Sequence, residues 1–272
     1  KQTPLEAITS FSQKPTVLEK KKVSPASFSL SYYQIDDYLT CPLKYKYVHM
    51  LYVPIMEHHT VIYGKAMHSA VTSFFQYKLA GKKMTLKKLL EKFEKEFRQE
   101  GFLDKRHYLE RLKAGKFALK EFYEREKEDK NKILFIEKDF AFSFDNIKIT
   151  GRFDRVDMEE DGAVIFDFKT SDVSNQEEAN EKTKDSLQLC LYSFAYQNIF
   201  GSMPKKACLY FLESGIIGET EFKEKDIEKL KEKIRRVIQG IQEQDFSAQP
   251  QYLACNYCAY NRICPEASMV YK

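Results

Sequence analysis

Asp154, Asp167 and Lys169 have the types and spacing of a hydrolytic metal site, and all lie in the run GRFDRVDMEEDGAVIFDFKTS from Gly151 to Ser171. Asp167 and Lys169 are two apart in an apolar run that reads as a strand. Both side chains then point to one face, while Val164, Phe166 and Phe168 point to the other, toward a core. Placing a carboxylate and an ammonium together on an apolar strand costs desolvation. Asp154 falls on the preceding strand, across a two-stranded ribbon. Two carboxylates converging there could hold Mg²⁺ or Mn²⁺, with Lys169 beside the metal-bound water. The chemistry that suits the set is phosphodiester hydrolysis. The metal would neutralise the scissile phosphate and lower the pKa of its water, and lysine would orient or help deprotonate that water. A cross-strand Asp–Lys ion pair of small energetic weight accounts for the same spacing.

The cysteines form a second constellation. Three of the six, Cys255, Cys258 and Cys264, crowd into ten residues, and Cys41 precedes Pro42 far away near the start. Crowding of this kind reads as metal ligation rather than disulfide stapling. Cys190 and Cys208 fall on an apolar helix and an apolar strand, and read as buried small hydrophobes. No charged-then-apolar leader opens the sequence, so secretion is not indicated and a cytoplasmic setting is expected.

These residues need elements to position them. Ser31-x-x-Gln34 has the form of a capping box, opening a short helix that Cys41-Pro42 closes. Gly64 to about Leu79 reads as a helix carrying His68. Thr85 caps an amphipathic helix ended by Gly101, and a charged helix covers roughly His107 to Glu128. Ile133 to Phe144 and Ile147 to Met158 read as strands joined by a turn at Asp145-Asn146. Ala163 to Lys169 is a third strand, after a turn at Asp161-Gly162. A helix from about Ala179 to Phe200, strands near Ala207–Leu212 and Gly218–Phe222, and a long helix bearing Ile227, Leu230, Ile234, Val237 and Ile241 complete the pattern, with an irregular tail after Asp245. The order predicts a mixed α/β fold.

Taken together, these motifs resemble the RecB-like branch of the PD-(D/E)xK nucleases. In that family a histidine on an early helix, an Asp in a G-x-x-D strand and a D-x-K strand form the metal site. The matching residues are His68, Asp154, and Asp167 with Lys169. The family's Q-x-x-x-Y helix is matched by Gln188 and Tyr192, four apart and so on one helical face, which the resemblance assigns to substrate phosphate or to bracing the site. Glu137 matches a recurrent acidic position on the first strand, where a structural role serves equally well. Asp157, Glu159 and Glu160 read as solvated hairpin residues. Arg152 and Arg155 flank Asp154 and could approach phosphate, while the alternation Lys44-Tyr45-Lys46-Tyr47 reads as core tyrosines with a solvated lysine face. The cysteine pattern Cys41…Cys255-x2-Cys258-x5-Cys264 resembles the 4Fe–4S staple of a subgroup that includes AddB-type nucleases and CRISPR-associated exonucleases. Structural zinc is the alternative for four thiolates. The nearest likeness is to nuclease domains attached to UvrD/Rep-type helicases, over about Ser27 to Ala267.

Composition sets outer limits. The 272 residues include 43% apolar and 31% charged, which excludes a wholly disordered chain, and a net charge of +4 is too small to diagnose nucleic-acid binding. The longest uncharged stretch, Ser186 to Pro204, is interrupted by Gln188, Gln197 and Asn198 and is a core helix, not a membrane span. No phosphate loop of the G-x-x-x-x-G-K-[ST] type is present, so an ATP-driven motor would have to be another domain or subunit. Residues 1–25 are proline-bearing, include Lys20-Lys21-Lys22 and start at Lys1, and read as a linker from an upstream region. The expectation is therefore a PD-(D/E)xK core over residues 26–272, a mixed sheet flanked by helices with iron–sulfur-stapled termini. Its function would be Mg²⁺/Mn²⁺-dependent cleavage of DNA single strands or ends, alongside a helicase in repair or recombination. The rivals are a catalytically silent Fe–S DNA-binding module and a zinc-stapled interaction domain.

Overall fold

The computed structural model describes residues 28–267, so the expected linker lies outside the described residues. A short strand β1 (Ser29–Ser31) leads into α1 (Tyr32–Thr40), capped as the sequence predicts: Ser31 Oγ accepts from Gln34 N, and Gln34 Oε1 accepts from Ser31 N at 2.9 Å. Cys41 ends the helix and Pro42 opens α2 (Pro42–Tyr45), which runs into one π-helical turn over Lys46–Met50. Helices α3 (His59–Leu79), α4 (Leu86–Glu96) and α5 (Lys105–Glu126) follow, the last two capped by Thr85 and Asp104 side chains. The α4 helix stops at Glu96, ahead of Gly101, because Phe97 takes an extended conformation and turns its ring into the core.

Strands β2 (Lys132–Phe144) and β3 (Ile147–Glu159) meet at Asp145-Asn146, where φ values of 48° and 64° match the tight hairpin turn that Asn and Asp tolerate. Strand β4 (Gly162–Lys169) is followed by α6 (Gln176–Lys184) and α7 (Leu187–Phe200). The single helix expected over residues 179–200 is thus two. Ser186 adopts an extended ψ of 105° and accepts a hydrogen bond from Leu189 N, ending one helix and capping the next. Strands β5 (Lys206–Phe211) and β6 (Ile217–Thr220), helix α8 (Glu224–Gln242) and a short α9 (Tyr252–Asn256) complete the chain. The last replaces part of the irregular tail.

The sheet runs β1-β3-β4-β5-β6, with β2 also paired to β3. A strand has two edges, yet β3 has three neighbours. β2 occupies one edge nearly throughout, so the other is divided: β1 pairs with Lys148–Thr150 and β4 with Arg155–Glu159. The last β3–β4 pair is Arg155 with Phe166, after which the carboxyl end of β4 leaves β3 and continues alongside β5.

Period-two alternation in β4 and β5 assigns their faces. Phe168 and Tyr210 join the cluster built by α3, α4 and α5, while Ile165, Ala207 and Leu209 join the one built by α6 and α7. A third cluster packs α1, α7 and α8 against Leu30, Ile147 and Ile149. The result is a mixed sheet covered by helices on both faces. Among the described residues no helix is long and apolar enough to cross a membrane.

Candidate active site

The site forms where β4 leaves β3. Asp154 is the first β3 residue past the last pair, and its Oδ2 accepts from Phe168 N at 3.0 Å. That bond stitches the parting strands through a side chain instead of a backbone carbonyl. Asp154 and Asp167 are buried at 8% and 1% exposure, so both carboxylates need partners.

Asp167 and Lys169 lie on one face as predicted, with Lys169 Nζ 2.7 Å from Asp167 Oδ2. Gln188, in the first turn of α7, bridges them. Its Oε1 accepts from Lys169 Nζ at 2.7 Å, and its Nε2 donates to Asp167 Oδ1 at 2.6 Å and to the Tyr192 hydroxyl at 2.9 Å. The amide dipole matches the order of charges, which explains an amide at a position where an acid or a base would be misread by one partner. The break at Ser186 is what lets α7 begin where Gln188 can reach both.

From the other side comes α3. His68 Nε2 lies 2.9 Å from Asp154 Oδ2, and its Nδ1 is 3.5 Å from Glu137 Oε1. Thr72, one turn on, donates to the same Glu137 oxygen at 3.0 Å. His68, Glu137 and Asp154 present donor atoms all within 4.8 Å of one another, the sole trio of this kind among the described residues. Glu137 is thus a core member of a constellation in which sequence reasoning gave it equal structural standing. The hairpin turn carried the missed signal: a register centred on Asp145-Asn146 places Glu137 opposite Asp154. Its φ of 52° interrupts the β2–β3 ladder at that point, a conformation uncommon for a residue with a side chain and concentrated at functional sites.

Electrostatics follow from the enclosure. Burial, reinforced by the charge of Asp154, raises the Asp167 carboxyl to about 6, against the opposing pull of Lys169. Burial works against the His68 imidazolium, but the hydrogen bond and charge of Asp154, with Glu137 and Asp167 behind it, outweigh this and raise its pKa. Lys169 is likewise held above the ordinary lysine value by Asp167 despite its own burial. A cluster of acids this crowded is calling for a cation.

The residues fit a divalent ion. His68, Glu137 and Asp154 bring an imidazole nitrogen and two carboxylates together with donor atoms within 4.8 Å of one another. Asp167 Oδ2 is buried and receives no directed hydrogen bond although the Lys169 ammonium is close, which leaves an oxygen without a well-placed partner. The site opens into a cleft of ≈ 1520 Å³ lined by residues of α3, the start of α1, the β2–β3 ribbon, the end of β4 and α7.

Two expectations about charge are overturned. Arg155 does not face phosphate: it is 2% exposed, forms a two-point ion pair with Asp157 and packs over the rings of Phe75 and Phe166. Asp157 is accordingly buried rather than solvated. The alternation of β3 explains both, since Arg155 and Asp157 point to the face opposite Asp154. Arg152 does line the cleft, paired to Asp139 and Glu137. In the Lys44–Tyr47 run, Tyr45 is core and Lys44 pairs with Asp37.

The four cysteines also converge. Cys41, Cys255, Cys258 and Cys264 line one small cavity with Lys44, Tyr47 and Tyr260, and Cys41 Sγ accepts a hydrogen bond from Gln249 N at 3.5 Å. Cys190 and Cys208 are buried elsewhere, at 7% and 3% exposure.

A family model described as the PD-(D/E)XK nuclease superfamily matches residues 29–265. No curated protein matches the chain. A crystal structure from Eubacterium rectale, provisionally described as an exonuclease, is 12% identical, covers 92% of this chain and 94% of its own, and superimposes with a TM-score of 0.49. The crystal structure of SSO0001 is 16% identical, covers 82% of this chain and 94% of its own, and has a TM-score of 0.35.

Proposed function

The chain belongs to the PD-(D/E)XK nuclease superfamily, and from that premise we propose that its cleft is the active site of a divalent-metal-dependent deoxyribonuclease. The observation that carries this reading is the Asp167–Lys169 pair, locked by Gln188 beside the His68, Glu137 and Asp154 donors at the foot of an open cleft. Asp154 and Asp167, with His68 and Glu137 around them, would hold the ion. A Mg²⁺ or Mn²⁺ ion bound there supplies charge neutralisation for the scissile phosphate and a water of lowered pKa.

The chain's own groups then have distinct tasks. Burial works against the Lys169 charge and Asp167 outweighs it; held by Gln188, the ammonium is placed to donate to phosphate oxygen or to the attacking water. Gln188 fixes that ammonium and turns Asp167 Oδ2 away from itself by engaging Oδ1. Tyr192 anchors the Gln188 amide from within the core.

The reading extends to unpaired strands or ends delivered by a helicase, in the same chain or as a partner subunit, during cytoplasmic DNA repair or recombination. The motif resemblance supports this context. For the cysteines we favour a 4Fe–4S cluster. The pattern Cys41…Cys255-x2-Cys258-x5-Cys264, whose four members line one cavity, resembles an iron–sulfur staple, with structural zinc the alternative for four thiolates.

Digestion of end-labelled single- and double-stranded DNA with Mg²⁺ or Mn²⁺ tests the nuclease reading. Cleavage should vanish with chelator and in Asp167→Ala and Lys169→Ala, with folding retained. Full activity in either variant, or DNA binding without any cleavage by the parent protein, overturns it in favour of a silent binding module.

A further inference from the structure

The cleft carries a feature that the metal site does not use. Of the large apolar side chains lining it, Tyr33 is the most exposed among the described residues, at 68%. Most of its ring surface is open to the cleft, so covering it with a flat apolar or π face would be favourable. Its backbone is nevertheless fixed: Tyr33 is the second residue of α1, inside the Ser31–Gln34 capping box, and its ring contacts Tyr32 at 5.2 Å between centroids. It lines the same cleft as Asp154, Asp167 and Lys169.

The α3 residues of the same cleft suit a threaded strand. Val61, Gly64, Lys65, His68, Ser69, Thr72 and Ser73 lie at helical spacing on the side of α3 that lines the cleft, and most of them are small. On β3, Lys148 adds a cation, and Arg152 lies in the same cleft paired to Asp139 and Glu137. An exposed ring in a cleft that also holds small side chains and a lysine is how single-strand grooves hold unpaired bases while leaving phosphates to the charged groups. Bases paired inside a duplex do not offer a free face to such a ring.

We propose that Tyr33 is a base-stacking residue that positions an unpaired nucleotide beside the scissile phosphate and makes the cleft selective for single-stranded DNA. The proposal rests on the nuclease reading and names its substrate form. Stacking on one aromatic ring changes affinity by roughly 5- to 150-fold. Tyr33→Ala should therefore raise KM for a single-stranded oligonucleotide by about that factor, leave kcat largely intact, and leave duplex cleavage little changed. Tyr33→Phe and Tyr33→Trp should retain the parent KM. The parent protein, in chelator, should quench a 2-aminopurine base in the oligonucleotide, and Tyr33→Ala should not. An unchanged KM in Tyr33→Ala overturns the proposal. So does a loss in Tyr33→Phe equal to that in Tyr33→Ala, because the hydroxyl would then be the working group. Absence of cleavage by the parent protein would instead sink the nuclease reading, so the two failures are distinguishable.

Discussion

His68, Glu137, Asp154 and Asp167 make an unusual demand on an ion, because one donor is an imidazole nitrogen and the rest are carboxylate oxygens. Mn²⁺ accepts nitrogen more readily than Mg²⁺ does, so Mn²⁺ should support cleavage at a lower concentration, and His68→Asp should narrow the gap between the two metals in a titration of rate against ion. Protons compete for the same donors. The folded protein holds a proton on Asp167 up to about 6, against an ordinary 3.8, so this group's stabilisation of the metal-free fold is complete below the lower value and is lost as pH rises through the upper one. His68, also raised, loses its own contribution at higher pH. Urea midpoints in chelator should thus fall from about pH 4 to 6 more steeply for the parent than for Asp167→Asn, with added Mn²⁺ recovering stability above that window. A parallel pair of curves would refute the sign. Metal binding should release protons, read from the dependence of calorimetric heat on buffer. Most of this constellation was legible from motif order. Glu137 was undervalued because a residue in a β run is weighed by its own strand, whereas its role comes from pairing across the hairpin and from a left-handed backbone that no composition announces.

The elements were legible where a local cap or turn decides them, and less so where tertiary packing does. Ser31, Thr85, Asp145 and Asn146 acted as read. The α6–α7 break was missed because Ser186 sits in an otherwise unbroken helical pattern, and only the need to aim Gln188 at β4 gives the cap its purpose. Arg155 was misread for a related reason: two arginines flanking an active-site aspartate look alike in sequence, yet strand alternation sends only one inward. Beneath β3 its guanidinium answers Asp157, with Glu126 and Asp129 at 3.5 and 3.6 Å. Removing one member of a buried ion pair typically costs about 3–5 kcal/mol, while replacing both by apolar groups costs far less. Arg155→Met should accordingly lose stability of that order in urea unfolding, and Arg155→Met with Asp157→Leu should recover a substantial part. Equal losses in the single and double variants would show that Arg155 serves by packing over Phe75 and Phe166 rather than by charge.

At the scale of the whole molecule, the two sites share no lining residue but are joined by a single helix. α1 presents Tyr32 and Tyr33 to the catalytic cleft at its start and Thr40 and Cys41 to the cysteine cavity at its end. Hydrogen bonds from Tyr38 to Asp245 O at 2.6 Å and from Tyr260 to Val53 O at 3.1 Å already tie this region to the chain's last segment. A cluster on Cys41, Cys255, Cys258 and Cys264 would close a loop spanning most of the fold, and cross-links over such long loops contribute on the order of 5 kcal/mol by restricting the unfolded chain. Cys258→Ser should therefore lower iron content and the broad visible absorption of anaerobically purified protein, together with the melting temperature. Cys190→Ser, a core thiol outside the cavity, should leave the iron in place. The connection through α1 adds a kinetic signature. With its far end untied, α1 should hold Tyr33 less firmly, so Cys258→Ser assayed below its melting point should raise KM for single-stranded DNA more than it lowers kcat, whereas Asp167, Lys169 and Gln188, built on β4 and α7, keep their geometry. A fall in kcat at unchanged KM would mean that the cysteine cavity supports the metal site directly, and an iron-free, colourless protein of full stability would remove the cluster from the account.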